Sequence, residues 1–160
     1  TPSMKQQENR EVLSEELLQK YRLKLTLQQV EDAQDCEVVN GCLILKKEQY
    51  IAQRFQKRRN FDAVLALKLR KVPENMFFQA RLNTVVMLEA EEIADCVFTK
   101  YSNLECGRDG GAFALTAVKN CYFPKLKKVG SFSFYRCQIK FVDQNNFPVL
   151  QVVGDSGFDG

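Results

Sequence analysis

The sequence predicts an α+β chain: a solenoid of short strands and bends behind an N-terminal helical region. Two observations carry this expectation. Residues 123–134 read FPKLKKVGSFSF and residues 147–158 read FPVLQVVGDSGF. Both obey F-P-x-L-x-x-V-G-x-x-x-F, six shared positions in twelve. Residues 3–22, in contrast, hold good helix formers and no copy of that pattern. Self-similarity at a fixed spacing of a few tens of residues is the signature of a repeat coil.

Looser copies extend the pattern upstream. Leu69–Phe77 and Ala90–Phe98 keep an aliphatic or small residue, then an aliphatic three further on, then a Phe. A second aliphatic pair follows three of the phenylalanines, as Leu82/Val85, Leu115/Val118 and Ile139/Val142. The Phe98 repeat carries an insertion of roughly a dozen residues that includes the glycine-rich stretch 106–111. A short strand, a bend and a returning strand leave one apolar side uncovered on every turn. Stacked turns cover it mutually. The column Phe77, Phe98, Phe134 and Phe158 then becomes an aromatic ladder, each ring burying on the order of 150–250 Å². Gly130 and Gly154 share one place at the bend, where a positive φ is expected.

The first third is read element by element. In 3–22, Leu13, Leu17 and Tyr21 fall on one face, with Leu18 beside them, and Ser3 with Gln6 forms a capping box. This helix is expected to cap the open end of the solenoid. Leu23–Leu27 alternates like a strand, and Cys42–Leu45 is an apolar strand. Residues 48–60 read as a second short helix with Tyr50, Ile51 and Phe55 inward, and 62–69 returns to strand. The expected division is 1–60 as the N-terminal capping region and 61–160 as a solenoid of about four irregular repeats.

Composition excludes several chemistries. The tail contains Gly154-Asp155-Ser156-Gly157, a string that frames a nucleophilic serine in many proteases, yet the chain has no histidine. A Ser-His-Asp triad needs an imidazole to take the serine proton. Here the string is the second copy of VGSFSF. Six cysteines show no C-x-x-C spacing, so no zinc site is expected, and their apolar settings suit small core hydrophobes. Gly107–Gly111 lacks the lysine and the strand-to-helix setting of a phosphate loop. No catalytic residue, metal or cofactor is therefore expected. Neither a signal peptide nor a long apolar run is present, and no N-x-[ST] acceptor occurs, so the expected location is cytoplasmic.

The repeat resembles the BspA-like leucine-rich repeat, whose units run L-x-x-I-x-x-x-A-F-x-x-C-x-x-L. Cys137, three residues after Phe134, matches the family cysteine, whereas the residue before each Phe is never Ala. The resemblance covers about 61–160 and implies a right-handed solenoid that serves as a scaffold for protein binding. A shorter stretch, 35–45, resembles the C-x-V-x-x-G-x-L-x-I start of receptor L-domains, which would imply extracellular ligand binding. Its plainer reading is a hairpin with an Asn-Gly turn.

The binding surface is expected between the fixed aliphatics. The variable pairs are Arg70/Lys71, Glu91/Glu92, Lys127/Lys128 and Gln151/Val152, and a parallel column is Asn83, Thr116 and Lys140. On a solenoid such columns stack on one face and meet a protein partner. The alternative uses the basic clusters, Arg54 to Arg59, Lys68 to Lys71 and Lys125 to Lys128, to bind nucleic acid or anionic lipid. With 23 basic against 20 acidic residues, net charge alone does not favour nucleic acid.

Overall fold

The computed structural model describes residues 13–77, 80–94, 118–131, 133–134, 146–155 and 158. Over these residues the chain is a β-solenoid of about four turns with little helix.

The coil starts at a hairpin. Strand β1 (Glu37–Val39) runs antiparallel to β2 (Cys42–Leu45), with Val39 opposite Cys42. Asn40 and Gly41 make the two-residue connection with φ of 49° and 77°. Positive φ at both positions gives the backbone twist that two-residue hairpins require, so the Asn-Gly reading of 35–45 holds. From β2 onward every pairing is parallel. Strand β3 (Ala63–Ala66) pairs β2, β5 (Thr84–Met87) pairs β3, and β7 (Asn120–Tyr122) pairs β5. The opposite wall holds β4 (Lys71–Val72), β6 (Glu92–Ile93), β8 (Lys128–Val129) and β9 (Val152–Val153), again all parallel. The turns that begin with β3, β5 and β7 each contribute one strand to each wall. The walls are called sheet A (β1-β2-β3-β5-β7) and sheet B (β4-β6-β8-β9).

Register confirms the repeat columns. Val72, Ile93, Val129 and Val153 align across sheet B, although Lys71 to Glu92 is a step of 21 residues, Glu92 to Lys128 one of 36 and Lys128 to Val152 one of 24. In sheet A the aligned set is Val64, Val85 and Cys121. The pair equivalent to Leu82/Val85 is therefore Val118/Cys121, three residues later than the expected Leu115/Val118. Cysteine fills an aliphatic place, and the insertion is correspondingly longer.

The interior between the walls is apolar and closed. Leu43, Leu45, Val64, Ala66, Val85 and Met87 point in from sheet A, and Val72, Ile93 and Val129 from sheet B. The rings stack in register: Phe55 lies 5.7 Å from Phe77 at 13°, and Phe134 5.1 Å from Phe158 at 2°. Phe123 and Phe147, the first residues of the two clear repeats, make a second stack at 5.5 Å, with Phe134 edge-on to both at 6.0 Å. Phe98, Ile139, Val142 and the 106–111 stretch lie outside the described residues.

Residues 48–60 do not form the expected helix. They form a degenerate turn of the coil, made of bends with Gln53 and Lys57 at positive φ. The Phe55 N–H donates to Met76 O at 3.0 Å and the Gln53 N–H to Glu74 O, so Phe55 takes the place that Phe77 holds one turn later. Left-handed Gln53 likewise matches left-handed Asn75. Tyr50 is half-buried and Phe55 buried, but Ile51 is 73% exposed rather than inward. Pairing of β2 with β3 thus draws 42–57 into the coil, ahead of the boundary expected at residue 60.

The N-terminal region also departs from expectation. Helix α1 spans Glu15–Lys20 and starts at Ser14, whose backbone is extended (φ −139°) and whose hydroxyl accepts from the Leu17 N–H. A continuous helix over 3–22 is excluded by that extended residue, and the Ser3 cap lies outside the described residues. Residues 23–26 keep the strand-like alternation, with Leu23 and Leu25 buried between exposed Lys24 and Thr26, but pair with no strand. Leu27 instead begins helix α2 (Leu27–Asp32), set by a capping box. The Thr26 hydroxyl accepts from the Gln29 N–H while Gln29 Oε1 accepts from the Thr26 N–H. These segments lie along the flank of the coil. Leu18, Tyr21, Leu23, Leu25 and Val30 bury the outward residues of sheet A, Cys42, Ile44, Leu65, Val86 and Leu88. Strands β2, β3 and β5 are consequently buried on both faces, which explains their unbroken apolar runs.

Gly130 and Gly154 follow Val129 and Val153 in adjacent turns, and Gly41 is the only described glycine with positive φ. Glycine at 154 answers a different need: a Cβ there would sit 2.7 Å from Ser131 N and Oγ. Replacing it with Ala should destabilise the coil by about 1–3 kcal/mol. A second test addresses the degenerate turn. Phe55→Ala should cost about 3–5 kcal/mol in chemical denaturation, whereas Ile51→Ala should stay within about 0.5 kcal/mol of the parent.

Candidate functional site: an open charged wall and a basic cleft

Alternate residues of a strand face opposite sides, so β4, β6 and β8 each send one residue in and one out, whereas both valines of β9 are exposed. Val72, Ile93 and Val129 go in, and Lys71, Glu92 and Lys128 go out. Backbone bonds hold the neighbouring column in line as well. The Glu91 N–H donates to Arg70 O at 2.8 Å, Lys127 to Glu91 at 2.9 Å, and Gln151 to Lys127 at 2.9 Å. The structure therefore brings Arg70, Lys71, Glu91, Glu92, Lys127 and Lys128 onto one exposed wall, as the repeat columns predict. Asn83 is elsewhere, at the edge of sheet A, and its neighbour there is Lys119, whose N–H donates to Asn83 O. Thr116 and Lys140 lie outside the described residues.

Signs alternate along this wall. Glu92 Oε1 lies 4.0 Å from Lys71 Nζ and 3.6 Å from Lys128 Nζ. Beside it, the more enclosed Lys125 Nζ meets Glu89 Oε2 at 2.6 Å. The outer pairs are well exposed and each is worth under about 1 kcal/mol. Their consequence is a charge pattern: the acidic rung divides the two basic clusters, so the wall is a mixed surface rather than a basic stripe.

A second feature had no counterpart in the sequence reading. Between the N-terminal segment and the turns that lead into sheet A lies a cleft of about 1200 Å³. Its cations are Lys20, Arg22 and Lys24 on one side and Arg59, Arg81 and Lys119 on the other, with Asp62 as its carboxylate. No described carboxylate comes within ion-pair distance of these six. The turn column Gly41, Asp62, Asn83 and Lys119 is tied by backbone bonds, Asp62 N–H to Gly41 O, Asn83 N–H to Asp62 O and Lys119 N–H to Asn83 O. Asn40 Nδ2 donates to Lys24 O at 2.8 Å, which fixes the N-terminal wall against the hairpin. The alternation of Lys20, Arg22 and Lys24 with buried Tyr21, Leu23 and Leu25 was the available signal.

None of the three described thiols is activated. Burial pushes Cys42 and Cys121 up to about 12, and Cys36 is raised first by burial and then by Asp35, so all three stay protonated at neutral pH. Among the described residues no three His, Cys, Asp or Glu side chains gather as a metal site, and no helix is long and apolar enough to cross a membrane.

The polar knot at the start of the coil is structural. Asp35 accepts from the Lys46 N–H at 2.7 Å, from the Tyr50 hydroxyl and from Cys36 Sγ–H at 3.3 Å, with Lys47 Nζ at 3.9 Å. It joins the entry to β1, the exit from β2 and the first turn.

Fold and walls together define a β-solenoid repeat protein with one sheet face covered and the other open. Comparison with protein families, curated proteins and solved structures finds no match for this chain.

Asp35 supplies a pH test. Burial, the largest influence, raises its pKa, but the hydrogen bonds from Lys46, Tyr50 and Cys36 and the Lys47 charge outweigh it and hold the carboxyl below its ordinary 3.8. A depressed folded pKa contributes stability above the unfolded value, and that contribution is lost as pH falls through the folded one. Asp35→Ala should cost about 1–3 kcal/mol at neutral pH. In urea titrations across pH, that gap should hold steady down to pH about 5 and narrow below about 4.

Proposed function

We propose that this chain is a non-catalytic protein-interaction module that engages its partner through the outer wall of sheet B. One observation carries the reading. The outer face of sheet A is buried under the N-terminal segments, whereas the outer residues of sheet B, Arg70, Lys71, Glu91, Lys127, Lys128 and Val152, are exposed. A parallel ladder presents these side chains at about 4.8 Å intervals, a regular array suited to an extended protein surface. Alternating charge favours a partner of complementary alternating sign and sets specificity more than raw affinity. The same alternation argues against nucleic acid or anionic lipid on this wall, since Glu92 sits between the lysines that would meet the phosphates.

We assign the coil to the BspA-like leucine-rich-repeat kind. The F-P-x-L-x-x-V-G-x-x-x-F repeat, one short strand per wall in three successive turns, and stacked phenylalanines support that assignment. The N-terminal helix then serves as a flank cover, the role its buried leucines suit.

The test is charge reversal. Lys127→Glu with Lys128→Glu should leave circular dichroism and the unfolding midpoint close to the parent, because both side chains are exposed. Partners captured by the parent chain should be lost by at least about tenfold with the double variant. Undiminished capture of the same partners would refute the reading.

A further inference from the structure

The basic cleft beside sheet A shares no lining residue with the open wall. We propose that it takes an extended, Glu/Asp-rich protein segment. Charge is the first argument. Lys20, Arg22, Lys24, Arg59, Arg81 and Lys119 line one concavity with a single carboxylate, Asp62, among them. On and beside the sheet B wall Lys71, Lys125 and Lys128 face acidic neighbours at 2.6–4.0 Å, whereas these six have none within that reach among the described residues. Like charges gathered in a concave site repel one another and focus a positive potential, which an anionic ligand relieves.

The polar lining narrows the class of ligand. Asn60, Asn83 and Asn120 also border the cleft, and each amide offers both donors and an acceptor. A peptide backbone presents both an N–H and a C=O per residue and can use both functions, while a phosphodiester chain has acceptors only. The three guanidinium groups offer the planar fork that suits a carboxylate. Single-stranded nucleic acid would instead call for open aromatic faces on which bases stack. The rings near the cleft are already occupied: Tyr21 stacks on Tyr122 at 4.9 Å and 14°, and Phe61 is buried in the core. Asp62 adds a local repulsion that a continuous phosphate chain could not avoid, whereas a peptide can place an N–H there.

Size agrees. The turn column from Gly41 to Lys119 spans three rung steps, roughly 14 Å at about 4.8 Å per step, which matches about four residues of extended peptide at about 3.3 Å each.

The experiment uses the full chain and fluorescence anisotropy with a labelled peptide of alternating Glu and Asp, about twelve residues long, in about 0.15 M salt, where the screening length is about 8 Å. A labelled oligouridylate of matched charge and vesicles containing phosphatidylserine serve as the competing arms. Saturable peptide binding is expected, weakened at least about tenfold by Lys24→Glu with Arg81→Glu and unchanged by Lys127→Glu with Lys128→Glu. Lys20→Glu with Lys119→Glu supplies a second, independent reversal, and an unchanged thermal midpoint shows that either variant folds. The proposal is overturned by absence of saturable peptide binding, by equal affinity in both cleft variants, or by tighter cleft-dependent binding of the oligouridylate or the vesicles.

Discussion

The architecture depends on the in-register stacking of incomplete turns. A single turn of 21 to 24 residues has an inner side of Val, Leu and Phe and nothing of its own to lay against it. Its neighbours supply that cover, through paired valines in each wall and parallel phenylalanine rings between the walls. Strict register follows, because a slip of one residue would turn Val72 or Val129 out to water and Lys71 or Lys128 into the core. The same constraint makes the surface regular. Residues that face outward are held in columns for no reason other than the burial of their neighbours.

This separation explains which parts of the molecule are legible in the sequence. The sheet B columns follow from the repeat, since Leu69, Val72 and Phe77 mark their rung by type alone. Where a rung residue changes type while keeping its place, the pattern fails to show it. Cys121 stands where Val85 stands one turn earlier, so a search for aliphatic pairs settles on Leu115 and Val118 and misplaces the Asn83 column by three residues. Tyr50 takes a place that Val72 fills later, held by a polar knot around Asp35, and the turn that contains it looks helical from its charged residues. The capping box at Thr26 was also readable, but the alternation of 23–27 suggested a strand, and local hydrogen bonding prevailed over the period-two pattern.

The cleft was less accessible for a physical reason. Its six cations come from the N-terminal segment and from three successive turns, positions separated by up to a hundred residues. Only Arg59 belongs to a basic run, Arg54 to Arg59, and the other runs that stand out, Lys68 to Lys71 and Lys125 to Lys128, are divided by acidic residues once the chain is wound. Charge density along a chain and charge density on a surface are different quantities in a coil of this kind. The step of a turn decides which residues become neighbours.

One structural decision links the two surfaces. Packing Leu18, Tyr21, Leu23 and Leu25 onto sheet A removes that sheet as a binding face, since its outer residues become core. The alternation that buries Tyr21, Leu23 and Leu25 also drives Lys20, Arg22 and Lys24 outward, toward the turns that carry Arg59, Arg81 and Lys119. The N-terminal layer therefore does three things with one period-two pattern: it seals an apolar wall, leaves the opposite wall as the open sheet face, and closes one side of a basic cleft. Such coupling ties the cover of sheet A and the shape of the cleft to one stability determinant, the fit of the N-terminal leucines. A change that loosens that layer would expose apolar residues of sheet A and open the cleft together, while the sheet B wall, built on the other side of the phenylalanine core, would keep its register.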